Sequence, residues 1–201
     1  MVKNVIRMTR LKVFIRSYRW LLIIPLLYVT GALTEISSFT QRAVIQAGFV
    51  NASPTSTERQ EAFDYDFTIK DLAGNKIDFS TYKGKTIFLN LWATWCPPCR
   101  SEMPSIQKVF DTIDKTKIEF VMLSLDKDGQ LDKVKKYVAK NEFTFPVFMP
   151  SGYLSEQLNV PSIPTTFVIS PQGNIVYKEI GMRNYNTPKF MKFLTELTTK
   201  Q

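Results

Sequence analysis

Histidine is absent from the 201 residues, and cysteine occurs only twice, as Cys96 and Cys99. The lack of histidine excludes Ser-His-Asp and Cys-His catalysis, and with them every role that an imidazole side chain plays in acid–base chemistry. A structural zinc ion needs four ligands, which two cysteines without histidine do not supply, so no metal is predicted. The two cysteines are therefore left with redox chemistry or with no chemistry at all.

Acidic residues are missing from positions 1–19, which hold six of the 26 lysines and arginines. Residues 20–201 carry 20 basic and 18 acidic side chains, so the net charge of +8 belongs mainly to the N-terminus. Nucleic-acid binding needs a basic face on the folded part of a protein. We therefore predict that no nucleic acid is a partner of this chain.

Charge is also absent from Trp20 to Leu33, a mainly apolar stretch that extends through Thr34 and Glu35 to Phe39. A helix of about 20 residues spans about 30 Å, the thickness of the hydrocarbon core of a bilayer. The basic residues before this stretch place the N-terminus in the cytoplasm and the rest of the chain outside. A signal peptide cleaved near residues 30–32 is the alternative, and it would export the remainder equally.

Four segments are predicted along the chain: a basic cytoplasmic tail at 1–19, a transmembrane signal-anchor at 20–39, a linker at 40–60 and a folded domain at 61–201. Within the linker, Gln41 to Val50 is mildly amphipathic, and it either continues the helix beyond the bilayer or lies on the outer membrane surface. Asn51 to Gln60 is polar and rich in Ser and Thr, as linkers are, so the domain boundary is placed there.

Strand and helix patterns alternate along the predicted domain. Thr86 to Trp92 is nearly all apolar, as expected of a central strand that is covered on both faces. The other predicted strands are Tyr65 to Ile69, Lys76 to Phe79, Ile118 to Leu125, Phe145 to Met149, Thr165 to Ser170 and Ile175 to Ile180. The predicted helices are Pro98 to Ile113, Gln130 to Asn141, Tyr153 to Leu158 and Thr187 to Thr199. This order predicts an α/β fold in which a central mixed β-sheet, with an N-terminal β-hairpin, has helices on both faces.

The two cysteines lie in the sequence WATWCPPC (residues 92–99), where the predicted central strand meets the following helix. Thiolates rather than thiols attack disulfides, and the N-terminus of a helix stabilises negative charge. Cys96, at that end, is therefore predicted to attack a partner's disulfide, and Cys99, one helical turn deeper, to resolve the mixed disulfide. Pro97 and Pro98 stiffen the loop between them, because proline fixes φ and lacks an N–H donor.

A structural disulfide and a pair of inert core cysteines are the alternative interpretations of the CxxC pair. A disulfide across two intervening residues closes a very short loop and so removes little entropy from the unfolded chain. Inert cysteines have no reason to be spaced in this way at a junction between a strand and a helix. A redox function is therefore the favoured interpretation.

WATWCPPC after an apolar strand resembles the thioredoxin-like proteins, and more narrowly the membrane-tethered TlpA/ResA group of bacterial thiol:disulfide oxidoreductases. The resemblance covers about residues 62–198 and implies a thioredoxin-like fold. It also implies that Pro164, in the sequence IPTT, is a cis-proline that faces the disulfide. The backbone around it, at Ile163 and Thr165, would then be free to pair with a substrate strand. An ordinary trans proline in a turn is the alternative.

Four residues near the cysteines have expected structural roles. Asn90 stands where thioredoxin has a buried aspartate, in agreement with the ResA-like subgroup, and it is expected to be a satisfied core amide. Pro104 falls where the first helix of the family kinks. Trp92 and Trp95 are expected to shape and shield the site rather than to take part in its chemistry.

Glu102, three residues after Cys99, matches an acidic residue that the ResA subgroup uses beside its cysteines. One interpretation is a solvated acid on the helix surface. The other is an acid that is partly buried near the dithiol, where burial would raise its pKa and let it shuttle protons to Cys99. The sequence leaves both interpretations open.

By resemblance, the chain is predicted to reduce specific disulfides in exported proteins, such as apocytochrome c or copper-site assembly proteins. The sequence contains no flavin or nucleotide fingerprint, so no cofactor is expected. Electrons would then come from a membrane or exported thiol donor protein. The predicted location is the bacterial inner membrane, with a single span and the catalytic domain in the periplasm.

Two other functions stay open. The same chemistry in reverse would form disulfides in exported proteins, as an oxidase or isomerase does. A thioredoxin fold can also serve as a non-enzymatic docking or assembly module, in which case Cys96→Ser would leave function intact. A peroxidase is excluded, because such enzymes have a Pro-x-x-x-Thr motif that ends three residues before the reactive cysteine, where this sequence has Ala93.

Overall fold

Residues 39–45, 47–48, 50–54 and 61–199 are described in the structure, a computed structural model. Their strands are β1 (Glu61–Ala62), β2 (Thr68–Asp71), β3 (Lys76–Asp78), β4 (Thr86–Trp92), β5 (Ile118–Ser124), β6 (Val147–Pro150), β7 (Thr165–Ile169) and β8 (Asn174–Ile180). The α-helices of the domain are α1 (Pro97–Thr112), α2 (Leu131–Lys140) and α3 (Pro188–Thr199). Short 3-10 helices lie at Phe79–Tyr82, Asp128–Gln130 and Glu156–Leu158, and residues 39–45 form a short helix ahead of the domain.

The strands form one mixed sheet in the order β1-β8-β7-β4-β5-β6-β2-β3. β4 is parallel to β5 and antiparallel to β7, and all seven of its residues are buried. The prediction of a central strand from the apolar run is therefore confirmed. The register sets Asn90 of β4 beside Met122 of β5 and Thr166 of β7, which places a polar side chain in the middle of the sheet.

The predicted N-terminal β-hairpin is confirmed by the antiparallel pairing of β2 with β3. Its first strand begins at Thr68 rather than at Tyr65. Asp71 ends this strand, and its carboxylate accepts hydrogen bonds from the N–H groups of Ala73 and Asn75, which stabilises the turn. β2 also pairs with β6, so the hairpin extends the edge of the central sheet.

Alternate residues of β4 belong to two separate cores, one on each face of the sheet. Phe88 and Trp92 belong to the core that includes residues of all three α-helices. The helical members of this core include Met103, Ile106, Val134, Phe190 and Leu194. Ile87 and Leu89 belong to the second core, which, among the described residues, includes none from α1, α2 or α3. The three α-helices therefore pack on the same face.

The prediction of helices on both faces is thus wrong for the α-helices. The second face is covered by residues 63–67 and by the 3-10 helices that contain Phe79 and Leu158. Aromatic rings fill this core closely, as the stacked rings of Phe67 and Phe79 show with centroids 4.4 Å apart. Large rings on short segments bury enough apolar surface that the sheet needs no α-helix here.

The connection between β6 and β7, which the structure describes throughout, also lacks an α-helix that could cover the second face. It contains one 3-10 turn, Glu156–Leu158, instead of the helix predicted from Tyr153 to Leu158. Gly152 has a φ of 113°, which lies outside the helical range, and Pro161 prevents a helix from continuing. The backbone on either side of the turn is also non-helical, with ψ of 141° at Ser155 and 81° at Asn159.

Within the described ranges, no helix is long and apolar enough to cross a membrane. The predicted span at 20–39 lies outside the described residues except for Phe39, and the predicted tail at 1–19 lies outside them entirely. The assignments of the N-terminal tail and anchor therefore stay predictions.

Candidate active site

The two cysteines lie between the end of β4 and the first turn of α1. Cys96 is the N-cap residue of α1, with an extended backbone (φ −93°, ψ 105°), and Pro97 and Pro98 begin the helix. The sulfur of Cys96 accepts a hydrogen bond from the N–H of Cys99 at 3.3 Å. A sulfur in this capping position is stabilised by the unpaired N–H groups and the partial positive charge of the helix end, most strongly as a thiolate.

Cys96 and Cys99 form a disulfide, with their Cα atoms 5.3 Å apart. Cys96 is 4% exposed, whereas Cys99 is fully buried. A partner's sulfur can therefore approach only the Cys96 end of the bond without entering the core. This difference in exposure agrees with the predicted division between an attacking and a resolving cysteine.

The peptide bond between Ile163 and Pro164 is cis, as the resemblance implies. The carbonyl oxygen of Ile163 lies 3.7 Å from the sulfur of Cys96, so this loop faces the more exposed end of the disulfide. Thr165 begins β7, and its hydroxyl donates a hydrogen bond to the carbonyl of Ser162 at 2.7 Å. The cis-proline loop is thereby held between the central sheet and the disulfide.

The two tryptophans of WATWCPPC occupy different environments. Trp92 ends β4, is fully buried, and packs near the ring of Tyr137 on α2, with ring centroids 5.7 Å apart. Trp95, directly before Cys96, is 55% exposed. Trp95 therefore shapes the surface beside the Cys96 sulfur, whereas Trp92 supports the site from inside the core.

Glu102 lies one turn after Cys99 on α1 and is completely buried, which excludes the interpretation as a solvated surface acid. Its Oε1 accepts a hydrogen bond from the side-chain amide of Asn90 at 2.8 Å, and its Oε2 accepts one from the N–H of Arg183 at 3.0 Å. Burial raises the pKa of Glu102 to about 8, and these two donors oppose that rise only in part. The carboxyl group can therefore gain or lose a proton near neutral pH.

Asn90 connects Glu102 to a buried polar network. Its Nδ2 also donates to Oγ1 of Thr166 at 2.8 Å, and the same oxygen accepts a hydrogen bond from the hydroxyl of Tyr185 at 2.7 Å. Oδ1 of Asn90 is buried and has no hydrogen-bond partner in the part of the chain that the structure describes. The expectation of a satisfied amide is wrong for this atom, because both polar neighbours lie on the Nδ2 side.

Pro104 lies inside α1, where the resemblance places it. Because proline has no N–H, it cannot donate to the carbonyl of Arg100, one turn earlier. The guanidinium of Arg42, from the helix at 39–45, lies within 3.5 Å of that carbonyl oxygen. A residue from outside the predicted domain thus supplies a donor where the active-site helix lacks one.

Asp126, which follows β5, is a site residue that the sequence analysis did not identify. It is buried and accepts hydrogen bonds from the N–H and the hydroxyl of Thr94, at 2.8 and 2.6 Å, and from the hydroxyl of Ser124 at 2.8 Å. These bonds fix the turn that leads from β4 to Cys96. Its place at the carboxyl end of a buried strand, where α/β proteins bind ligands, is a signal that could have identified it.

Arg183 and Tyr185 were also missed by the sequence analysis. They lie in the loop between β8 and α3, and the contact between Arg183 and Glu102 joins residues 81 positions apart. The Arg183 side chain forms an ion pair with Glu179 at 2.6 Å. No local pattern marks these residues, because their contacts exist only after the sheet and α1 have packed.

The chain matches one protein family and is similar to two named thiol-disulfide oxidoreductases and to one crystal structure. Residues 60–178 match the model of the AhpC/TSA family. Thiol-disulfide oxidoreductase ResA of Bacillus cereus is 36% identical over 116 residues, which is 57% of this chain and 66% of the relative, just under two thirds. Sporulation thiol-disulfide oxidoreductase A of Bacillus subtilis is 31% identical over 126 residues, 62% of this chain and 76% of the relative. The crystal structure of StoA from Bacillus subtilis is similar with a TM-score of 0.52 and 29% identity, over 66% of this chain and 95% of that one.

Proposed function

The chain belongs to the AhpC/TSA family, and from this premise we propose that it acts as a thioredoxin-like thiol:disulfide oxidoreductase. Two relatives carry that activity in their names, which confirms the predicted resemblance to ResA. The thioredoxin-like α/β fold with a mixed sheet is confirmed as well. The observation that carries the proposal is the position of the Cys96 sulfur, at the N-cap of α1 and 3.7 Å from the cis-proline loop.

In the proposed reduction, the thiolate of Cys96 attacks one sulfur of a partner's disulfide. The S–S bond of the partner breaks, its other sulfur leaves as a thiolate and takes up a proton, and Cys96 is joined to the partner by a mixed disulfide. The thiolate of Cys99 then attacks the Cys96 sulfur, releases the second partner thiol and closes the bond between the two cysteines. Two electrons pass to the partner, so a thiol donor must return them.

Glu102 is proposed to accept the proton that Cys99 must lose before it attacks. The two side chains are three positions apart on α1 and therefore lie on the same side of the helix. Because burial raises the pKa of Glu102 to about 8, its carboxyl group can take up and release a proton near neutral pH, as this transfer requires. Asn90 and Arg183 hold the carboxyl group in place for this step.

The partner is proposed to bind as an extended segment beside the cis-proline loop. Ile163 and Thr165 would offer backbone groups to that segment on either side of Pro164, in the manner of an added strand. Trp95 and the partly buried Pro97 provide apolar surface next to Cys96. Pro97 and Pro98 keep this surface rigid, so little conformational entropy is lost when the partner binds.

We also propose where the chain is located and in which direction it exchanges disulfides. Residues 20–39 would anchor the chain by a single span in the bacterial inner membrane, with residues 1–19 in the cytoplasm and residues 61–201 in the periplasm. There the chain would act as a reductant of disulfides in exported proteins, such as those matured in cytochrome c or metal-site assembly. A membrane or exported thiol protein would supply the electrons. A disulfide-forming oxidase and a docking module are the alternatives that experiment must exclude.

The Cys99→Ser variant of the full chain tests the assigned roles. Without the resolving cysteine, the mixed disulfide between Cys96 and its partner should accumulate, and mass spectrometry after non-reducing electrophoresis should identify it. The matched Cys96→Ser variant should form no such adduct. Adducts that form through Cys99 in the Cys96→Ser variant would reverse the assignment, and unchanged function in that variant would favour the docking module.

A further inference from the structure

Residues ahead of the predicted domain pack against the flank of the active-site helix. The arm is defined here as residues 41–45, 47–48 and 50–53. Ile45 and Ala52 are only 3% and 2% exposed, and Ala52 belongs to the core that contains the two cysteines. The described part of the predicted linker is therefore attached to the domain by buried side chains.

The arm contacts α1 at the point where Pro104 weakens its hydrogen bonding. The guanidinium of Arg42 reaches the carbonyl oxygen of Arg100, which Pro104 leaves without its usual helical donor. Beside it, the hydroxyl of Ser101 lies 3.3 Å from Oε1 of Gln41. Both contacts lie within the two turns of α1 that carry Cys99 and Glu102.

The arm also pairs with the loop between β8 and α3 through backbone hydrogen bonds. The N–H of Asn184 donates to the carbonyl of Val50 at 2.8 Å, and the carbonyl of Asn184 accepts from the N–H of Ala52 at 3.0 Å. The side-chain amide of Asn184 adds a bond of 3.2 Å to Oδ1 of Asn51. One residue of the loop is thus held by three hydrogen bonds to the arm.

The neighbours of Asn184 face the opposite way, toward α1. The N–H of Arg183 donates to the carboxyl group of Glu102, and the N–H of Tyr185 donates to the hydroxyl of Ser105 at 3.2 Å. Three consecutive N–H groups of the loop therefore alternate between α1 and the arm. An extended segment held on both sides in this way cannot shift on one side without disturbing the other.

We propose that the arm is a positioning element of the active site, which holds the loop at residues 183–185 against α1 and thereby keeps the Arg183 N–H on the carboxyl group of Glu102. Residues of the arm touch neither cysteine in any contact described above, so they act through the loop. The consequence for disulfide exchange rests on the proposed role of Glu102 in proton transfer. The structural coupling itself does not depend on that role.

Displacement of the arm has a defined effect on Glu102. The hydrogen bond from Arg183 favours the charged carboxylate, so a weaker bond leaves the neutral form more favoured and raises the pKa of Glu102 further above its usual range. The other titratable or charged groups that face Glu102 are the Arg183 guanidinium, Glu179, Tyr177, Tyr185 and, once the disulfide is reduced, the Cys99 thiol. None of these belongs to the arm, so a neutral substitution in the arm leaves their charges unchanged.

Two neutral substitutions in the full-length chain provide a matched test. Ala52→Gln inserts a larger polar side chain at a buried position of the arm and should displace it, whereas Ala47→Gln places the same side chain at an exposed position. Hydrogen exchange measured by mass spectrometry should become about fivefold faster or more at residues 181–187 in Ala52→Gln, since the loss of one buried hydrogen bond changes an opening equilibrium by about that factor. Ala47→Gln should exchange like the unaltered chain.

The pH dependence of disulfide exchange provides a second readout. The rate of disulfide exchange, plotted against pH, should have a midpoint that belongs to Glu102 and that is absent in Glu102→Gln. In Ala52→Gln this midpoint should move to higher pH, and in Ala47→Gln it should not move. Unchanged exchange at 181–187 and an unchanged midpoint, with the arm itself exchanging freely, would overturn the inference. Ala52→Pro, which lacks the N–H bound to Asn184, is a second way to displace the arm. An arm that stays protected from hydrogen exchange in both variants would also overturn the inference. Failure of the proposed function would appear differently, as absent disulfide exchange in the unaltered chain.

Discussion

Two buried carboxyl groups, Asp126 and Glu102, lie on either side of the cysteine pair in the fold, and their environments differ. Asp126 accepts three hydrogen bonds, two from Thr94 and one from Ser124, and it fixes the turn before Cys96. Glu102, after Cys99, accepts two, from an uncharged amide and from a backbone N–H. Burial therefore dominates at Glu102 and raises its pKa to about 8.

The two acids differ in the hydrogen-bond donors around them, and this difference gives them separate roles in one site. An acid that accepts two hydrogen bonds from the turn before Cys96 and one from the end of β5 serves as a structural brace. An acid that lacks enough donors to stay charged when buried can exchange a proton near neutral pH, which suits thiol chemistry. We therefore expect substitutions of Asp126 to affect stability, and substitutions of Glu102 to affect the response to pH.

The largest effect is expected from Asp126→Ala. The substitution leaves the buried N–H and hydroxyl of Thr94 unpaired, and we expect a loss of about 4 kcal/mol in the free energy of unfolding, since hydrogen bonds to charged groups contribute about 1.5–3 kcal/mol each. Urea unfolding of the oxidised protein measures this loss. Asp128→Ala is the control, because Asp128 is exposed and its ion pair with Lys70 lies at the surface, so its loss should change the free energy by no more than about 1 kcal/mol. Equal losses in the free energy of unfolding in the two variants would show that Asp126 has no special structural role.

The next effect is the pH dependence of stability that Glu102 introduces. Its pKa is about 8 in the folded protein, whereas that of an unperturbed glutamate is 4.5, so between these two pH values the folded state holds a proton that the unfolded state has released. The free energy of unfolding therefore falls as pH rises through this window, because the unfolded state binds fewer protons. Relative to Glu102→Gln, the unaltered chain should lose on the order of 3 kcal/mol between pH 5 and pH 8, at about 1.4 kcal/mol per pKa unit.

Urea unfolding of both proteins at pH 5, 6, 7 and 8 checks this expectation. Glu102→Gln is the matched variant, because glutamine keeps the size of the side chain but does not titrate. Other titrating groups are common to both proteins, so their effects cancel in the difference. A difference that stays constant from pH 5 to pH 8 would show that burial does not raise the pKa of Glu102 into this range.

The smallest effect is expected from Tyr185→Phe, which removes one donor from the network behind Glu102. The hydroxyl of Tyr185 bonds Thr166, and the loss of one such hydrogen bond costs about 1 kcal/mol in the free energy of unfolding. Tyr153→Phe, at an exposed tyrosine, should have no measurable effect. If both variants unfold alike, the network contributes little to holding Thr166 and Asn90 in place.

The part of the site that is local in sequence could be predicted, and the rest could not. The junction of an apolar strand with CPPC predicted the capping position of Cys96, and the sequence IPTT suggested the cis-proline by resemblance. Whether Glu102 is buried could not be decided, because its burial depends on a loop 81 residues away. Asp126 was missed because an acid at the end of a strand looks like any polar residue that begins a loop.

The fold shows the same division between local and distant information. Strand and helix patterns predicted the hairpin and every strand of the sheet except the two-residue β1, because periodicity is a local property. The choice of face for each helix depends on which segments fill the opposite core, and the aromatic residues from 63 to 79 fill it without an α-helix. The contact of the arm with Asn184 likewise had no signal, since the segment reads as polar linker.

The reduction potential of the Cys96–Cys99 pair tests the central claim most directly. The full-length chain would be equilibrated with graded ratios of reduced and oxidised glutathione or dithiothreitol, and the fraction of disulfide measured by thiol labelling. We predict a reversible two-electron equilibrium with a potential at or below about −230 mV, as for a reductant. A value near about −120 mV would mark a disulfide-forming oxidant. A pair that does not equilibrate with either buffer would contradict the account of this chain as a thiol:disulfide oxidoreductase.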